Sequence, residues 1–280
     1  MVSAYTYISA IDDCYGLFKN LEGIRPCRDE RGQLQFVVGS SSVIFKMNYK
    51  GELYKLRCYL KQKQHLSDIY RDSFFKEELR LGQSLGHEER VDVVLEKWIE
   101  GRDLGREILD TDSIDRFQLL SQKFDYLALK LLKEEWAHGD LKPSNIIVTN
   151  DELVLIDFDN VYHPSFSDGT TTEWGSLGYQ HPNRKSLHSK AIDHYPVALI
   201  STVLHALSYD PSLLRYYSTE EMLLINPSAA LVDADEALCR IKDIFARHGD
   251  KTRLKIAELL HSQSVCLLEL EDLLEKGTDL

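Results

Sequence analysis

No C-x-x-C spacing occurs in this chain, and its five cysteines (Cys14, Cys27, Cys58, Cys239 and Cys266) are scattered and odd in number. That excludes a paired-cysteine zinc site and a disulfide framework, and it predicts reduced thiols in a cytoplasmic setting. Positive charge is in short supply as well. A net charge of −12 at pH 7 argues against a general binder of nucleic acid or of anionic membranes, and otherwise speaks only of solubility. Long hydrophobic runs are missing too: the most apolar stretch, residues 196–207, is short and interrupted by Ser201, Thr202 and His205, so no membrane span is predicted. The opening Met1-Val2-Ser3-Ala4-Tyr5 has neither the charged nor the apolar region of a secretory signal. Internal repeats, low-complexity tracts and obvious linkers are absent.

What is present suits one two-lobed unit, or two small domains sharing a cleft: 280 residues, 43% of them hydrophobic, are enough for a sizeable core. The chemistry gathers in one stretch, His138-Gly139-Asp140-Leu141-Lys142-Pro143-Ser144-Asn145, followed by Ile156-Asp157-Phe158-Asp159. A carboxylate, an asparagine shortly after it and a second carboxylate a hairpin later form the layout that phosphoryl transfer from ATP requires. Asp140 would take or orient the proton of an attacking hydroxyl, and Lys142 would steady the transferring group as a point charge. Asn145 and Asp157 would hold magnesium, a cation that prefers oxygen ligands. Aliphatic and β-branched runs at residues 145–149 and 153–157, separated by Asn150-Asp151-Glu152, predict the hairpin that returns Asp157 to Asn145.

This stretch resembles the catalytic and metal-binding loops of the eukaryotic-like protein kinase superfamily, with Gly139 where protein kinases mostly carry Arg and Asp159 where they carry Gly. The Gly variant is also similar to antibiotic and choline phosphotransferases, whereas Lys142 follows the serine/threonine kinase pattern. Taken with Gly175-Ser176-Leu177-Gly178-Tyr179-Gln180-His181-Pro182, which resembles an acceptor-positioning segment, the chain most resembles a bacterial group of kinase-like proteins with an Ile-Asp-Phe-Asp loop. The resemblance implies an α+β, kinase-like two-lobed fold. Residues 1–96 would form a β-rich N-terminal lobe with short helices, residues 97–102 a hinge and residues 103–280 a helical C-terminal lobe.

Several further expectations follow from the same resemblance. Strands at residues 34–38 and 43–47 flank Gly39-Ser40-Ser41-Ser42, which matches the phosphate-covering loop by position, without its G-x-G-x-x-G glycines; backbone groups at Gly39 and Ser41 would approach phosphate. In a third strand, residues 53–60, Arg57 falls where kinases keep the phosphate-binding Lys, and Lys55 lies beside it on the same face. The following helix is short and carries no Glu, so Glu96, at the gatekeeper position, is expected to balance Arg57 or Lys55. Lys97 and Ile99 would contact adenine through their main chain. Asp193 would hydrogen-bond the catalytic loop. Residues 160–173, with Ser165, Ser167, Thr170, Thr171 and Thr172, would be an activation segment whose phosphorylation activity does not require, since Gly139 removes the usual Arg partner.

Helical periodicity at Ile8, Ile11, Tyr15 and Phe18 predicts a first helix, and Phe117, Leu120, Phe124, Leu127, Ala128 and Leu131 a long buried-face helix. The implied function is ATP- and Mg-dependent transfer to a Ser or Thr hydroxyl of a protein, with a protein substrate or regulatory partner and no nucleic acid or membrane. A non-catalytic kinase-like module and a small-molecule phosphotransferase are the alternatives.

Overall fold

A computed structural model of the chain describes residues 2–84, 87–171, 173–217 and 224–278. The fold is α+β and divides into two compact units, Met1–Ile99 and Glu100–Leu280. The first is built on a sheet. After helix α1 (Ala4–Asp12) come strands β1 (Arg25–Pro26), β2 (Phe36–Val38), β3 (Ser42–Tyr49) and β4 (Glu52–Tyr59), a one-turn helix α2 (Leu66–Tyr70), then β5 (Phe74–Ser84) and β6 (His87–Lys97). The sheet order is β1-β3-β4-β6-β5, with β2 also pairing β3, and every pairing is antiparallel.

Turn chemistry fixes the register of its central hairpin. Lys50 and Gly51 both take positive φ, at 53° and 83°, the geometry a two-residue turn needs to match the twist of its strands. Tyr49 then faces Glu52, and alternation does the rest. Val43, Phe45, Met47, Leu56 and Cys58 point to one side and are buried under α1, with Tyr7 and Ile11. Ile44, Lys46, Lys55 and Arg57 line the opposite face.

One expectation changes here. The first helix stops at Asp12 although its apolar period runs on: Gly16 takes φ +70° and Leu17 N–H bonds Cys14 O at 3.1 Å, which turns the chain. Tyr15 is therefore 94% exposed, and Phe18 bridges to Leu79 instead. Glu77 and Glu78 lie in a strand. Glu77 is a bulge with φ 49°, and the shift turns Glu78 inward, where its carboxylate accepts from Asn20 N (2.6 Å), Asn20 Nδ2 (2.6 Å) and Leu21 N (2.8 Å). Glu78 is thus fully engaged with the loop after α1.

The second unit opens with β7 (Arg102–Asp103) and α3 (Leu104–Leu109), and α4 (Ile114–Lys133) follows. Ser113 caps α4 by accepting from Arg116 N–H, and Phe117, Leu120, Phe124, Ala128 and Leu131 form its buried stripe. A small sheet, β7-β8-β9, uses β8 (Ile146–Val148) and β9 (Leu153–Leu155). Helices α5 (His194–Tyr209), α6 (Pro227–Leu231), α7 (Glu236–His248), α8 (Lys251–Leu259) and α9 (Leu270–Thr278) complete it. The apolar α5 runs through the middle of this core. Among the described residues no helix is long and apolar enough to cross a membrane.

Candidate active site

The hairpin β8–β9 pairs Ile146 with Leu155, Ile147 with Val154 and Val148 with Leu153. The ladder continues one step further: Ile156 N–H donates to Asn145 O at 2.9 Å, so Asp157 follows directly on the residue bonded to Asn145. Asp157 itself sits in the left-handed region, at φ 69° and ψ 64°, a conformation costing about 1 kcal/mol or more that functional sites retain. Three links hold this loop to the Asp140 loop. Ala137 and Tyr162 exchange main-chain hydrogen bonds at 2.9 and 3.0 Å, and the His138 ring bonds Ile156 O through Nε2 at 2.9 Å. Phe158 packs on His138 and Trp136, with ring centroids 5.3 and 5.9 Å away.

Asp193 supports the loop from below, where the sequence placed it. Its carboxylate accepts from Gly139 N–H at 3.0 Å and from His138 N–H, at 1% exposure. Burial pushes this carboxyl up from the usual range, against the opposing pull of His138, the two N–H donors and Arg184.

Gly139 is required by space. At φ +79° a Cβ there would lie 2.1 Å from Asn160 O, so no side chain fits in the present backbone. Gly139→Ala is expected to destabilise the protein by about 2 kcal/mol or more: about 1 from the left-handed backbone and about 1 to 3 from displacing a main-chain carbonyl. Gly249, at φ +71° with nothing within 4 Å of its Cβ position, isolates the backbone part. Urea unfolding of both alanine variants measures the difference, and equal losses would remove the spatial constraint.

The groups predicted for catalysis do converge. Asp140 is 9% exposed. Its Oδ1 accepts from Ser176 N–H at 2.6 Å, and its Oδ2 lies 3.1 Å from Lys142 Nζ and 3.3 Å from Asn145 Nδ2. Lys142 Nζ also donates to Ser176 Oγ at 2.7 Å. Asn145 Nδ2 donates to Asp140 O at 2.8 Å, which commits the nitrogen end of the amide and leaves Oδ1 for a cation. An amide oxygen and the Asp157 carboxylate are hard donors, the type magnesium selects. Among the described residues no group of three or more His, Cys, Asp or Glu side chains could hold a metal. Two protein oxygens with phosphate oxygens and water are what magnesium normally uses beside a nucleotide, so the donor set fits.

In the sheet unit, Lys55 stands directly opposite Glu96 in register, and Nζ to Oε2 is 2.7 Å with side chains 13% and 22% exposed. The pair offsets the like charge of Lys46, which faces Lys55 from β3 and stacks over Trp98 at 4.4 Å. Arg57, 2% exposed, lies in register between Ile44 and Val94. Trp98 N–H donates to Leu53 O at 3.0 Å, so the Lys97 carbonyl of the same peptide points away from β4. The Lys97 side chain pairs with Glu52. In the 39–42 turn Gly39 N–H bonds Ser42 O at 2.8 Å, and Ser41 O accepts from Leu60 N–H at 2.8 Å. The Gly39 donor is therefore spent within the turn.

Two site residues had no role assigned from sequence. Ser176 sat in the segment expected to position the acceptor, with no role of its own; Arg184, which donates to Gly139 O at 2.8 Å, had no local signal at all. Thr172 of the predicted activation segment lies outside the described residues. No curated protein matches the chain. Residues 79–163 match the model of the phosphotransferase enzyme family (APH), and this stretch, which spans the Asp140 and Asp157 loops, together with the sheet unit and the helical unit, makes the chain similar to kinase-like phosphotransferases of two-lobed fold.

Proposed function

We propose that the chain transfers the γ-phosphoryl group of ATP to a Ser or Thr hydroxyl of a protein, with magnesium. The observation that carries this reading is Lys142, which touches Asp140 Oδ2 and Ser176 Oγ together. One cation thereby ties the base to the segment expected to present the acceptor. The acceptor oxygen bonds to the γ-phosphorus as its proton passes to Asp140, the bond from that phosphorus to the bridging oxygen breaks and ADP leaves with its electron pair, while Lys142 neutralises charge growing on the transferred oxygens. Asn145 Oδ1 and Asp157 would hold magnesium, which supplies charge neutralisation on the phosphates. Within the sheet unit taken by itself, Lys55, Arg57 and Ser41 would be the phosphate contacts, and the main chains of Lys97 and Ile99 the contacts of the nucleotide base.

The test is magnesium-dependent ATP binding and turnover against a protein panel and a small-molecule alcohol panel. Asp157→Ala is expected to weaken magnesium-dependent ATP binding by about tenfold or more, about 1.4 kcal/mol, with unfolding unchanged. Equal affinity with and without the carboxylate would overturn its assignment. The loop with Gly139, similar to that of antibiotic and choline phosphotransferases, supports a second reading, a small-molecule acceptor, and turnover confined to the alcohol panel would establish that instead. ATP binding without turnover on either panel would mark a non-catalytic module.

A further inference from the structure

We propose that Arg184 is a positioning residue that holds Asp140 in place by clamping the Asp140 loop to the segment carrying Ser176; this rests on the catalytic reading of Asp140 above. Arg184 is 3% exposed. Its Nη1 donates to Gly139 O at 2.8 Å, to Trp174 O at 3.0 Å and to Gln180 Oε1, while Nε reaches Leu187 O at 3.4 Å. None of these partners is a carboxylate. Burial disfavours the charged guanidinium, with Asp193 and Asp140 pulling the other way from a distance. A buried cation without a touching anion is costly, and an apolar side chain of similar length would fill the same space at lower cost.

The acceptors show what the cation does there. Gly139 precedes Asp140, Trp174 lies two residues before Ser176, and Ser176 N–H returns to Asp140 Oδ1 at 2.6 Å. These bonds close a ring through one guanidinium, so Asp140 cannot rotate without breaking either the Ser176 bond or the Arg184 clamp. The two main chains are close enough to demand it: a Cβ on Gly175, at φ +68°, would lie 2.7 Å from Gly139 O. No side chain at position 139 can perform this task, because Asn160 O occupies its Cβ position. The cation therefore arrives from 45 residues downstream. Lysine is a poor substitute, since its chain ends one atom short of Nη1 and it has no second nitrogen to place on Leu187 O.

Full-length Arg184→Lys and Arg184→Met chains test this by amide hydrogen exchange and by steady-state kinetics. Exchange at Ser176 is expected to accelerate by about tenfold or more in either variant, while Phe124 in the buried stripe of α4 stays unchanged. Unaltered protection at Ser176, or equal loss at Ser176 and Phe124, would overturn the clamp. Turnover is expected to fall by about 10- to 100-fold with the KM for ATP nearly constant; a free Ser176 amide with full kcat would overturn the positioning role. If the Met variant fails to fold, the Lys variant carries both readouts. A wild-type chain without turnover would count against the proposed function, and the exchange comparison would still decide the clamp.

Discussion

An Asp140→Asn chain is expected to fold, to bind ATP with magnesium, and to turn over about 100- to 10,000-fold more slowly, the range a positioned general base contributes. Both carboxylate oxygens act as acceptors: Oδ1 for Ser176 N–H at 2.6 Å, Oδ2 for Asn145 Nδ2 at 3.3 Å and beside Lys142 at 3.1 Å. An amide has only one acceptor oxygen. Whichever way the substituted amide turned, its NH2 would face a donor, so the change removes the proton acceptor and also loosens Lys142 and Ser176. Single-turnover kinetics separates this loss from binding, and a fall of less than about tenfold, about 1.4 kcal/mol, would deny Asp140 the role of base.

The largest stability effect is expected far from that loop. Asp125 of α4 is 1% exposed at its side chain and holds three groups: Ser201 Oγ on Oδ1 at 2.7 Å, His205 Nε2 on Oδ2 at 2.8 Å, and the Arg253 guanidinium, itself 5% exposed, at 2.8 Å. The cluster joins α4, α5 and α8. Removing the carboxylate strands a buried cation, so Asp125→Ala should cost about 3 to 5 kcal/mol and lower Tm by roughly 6 to 20 °C. Ser201→Ala, which removes one neutral donor, should cost about 1 kcal/mol. Equal losses would show that the charge is unimportant.

The same cluster sets an acid limit. Burial alone would raise the Asp125 carboxyl, but His205, Arg253 and Ser201 outweigh it and hold the group below the usual carboxylate range. Its contribution is complete above the unfolded value of about 3.9 and disappears as pH falls through the lower folded value. Below about pH 4 the wild type should lose stability more steeply than Asp125→Asn, and parallel profiles would contradict the assignment.

The parts legible in the sequence were those in which neighbours along the chain are neighbours in space. The hairpin from Asn145 to Asp157 and the α4 stripe follow from local period and turn chemistry, and both formed as read. The Lys55–Glu96 pair was legible as one of two choices, because strand alternation placed both cations on one face. Arg184, Asp125 and Glu78 were not legible. Each has a partner tens of residues away, Gly139 for Arg184, Ser201 for Asp125 and Leu21 for Glu78, and each looks in sequence like an ordinary surface charge until tertiary packing removes it from water. Tyr15 shows the opposite error, a periodic signal outlasting its helix because the main chain had already turned at Gly16.

Lys55 and Glu96 meet across two strands joined by main-chain bonds along their length. The ladder keeps their Cβ atoms opposite one another, so the two charges stay within reach for as long as the sheet is folded. Closeness that other proteins obtain by moving a helix is here built into the weave of the sheet itself.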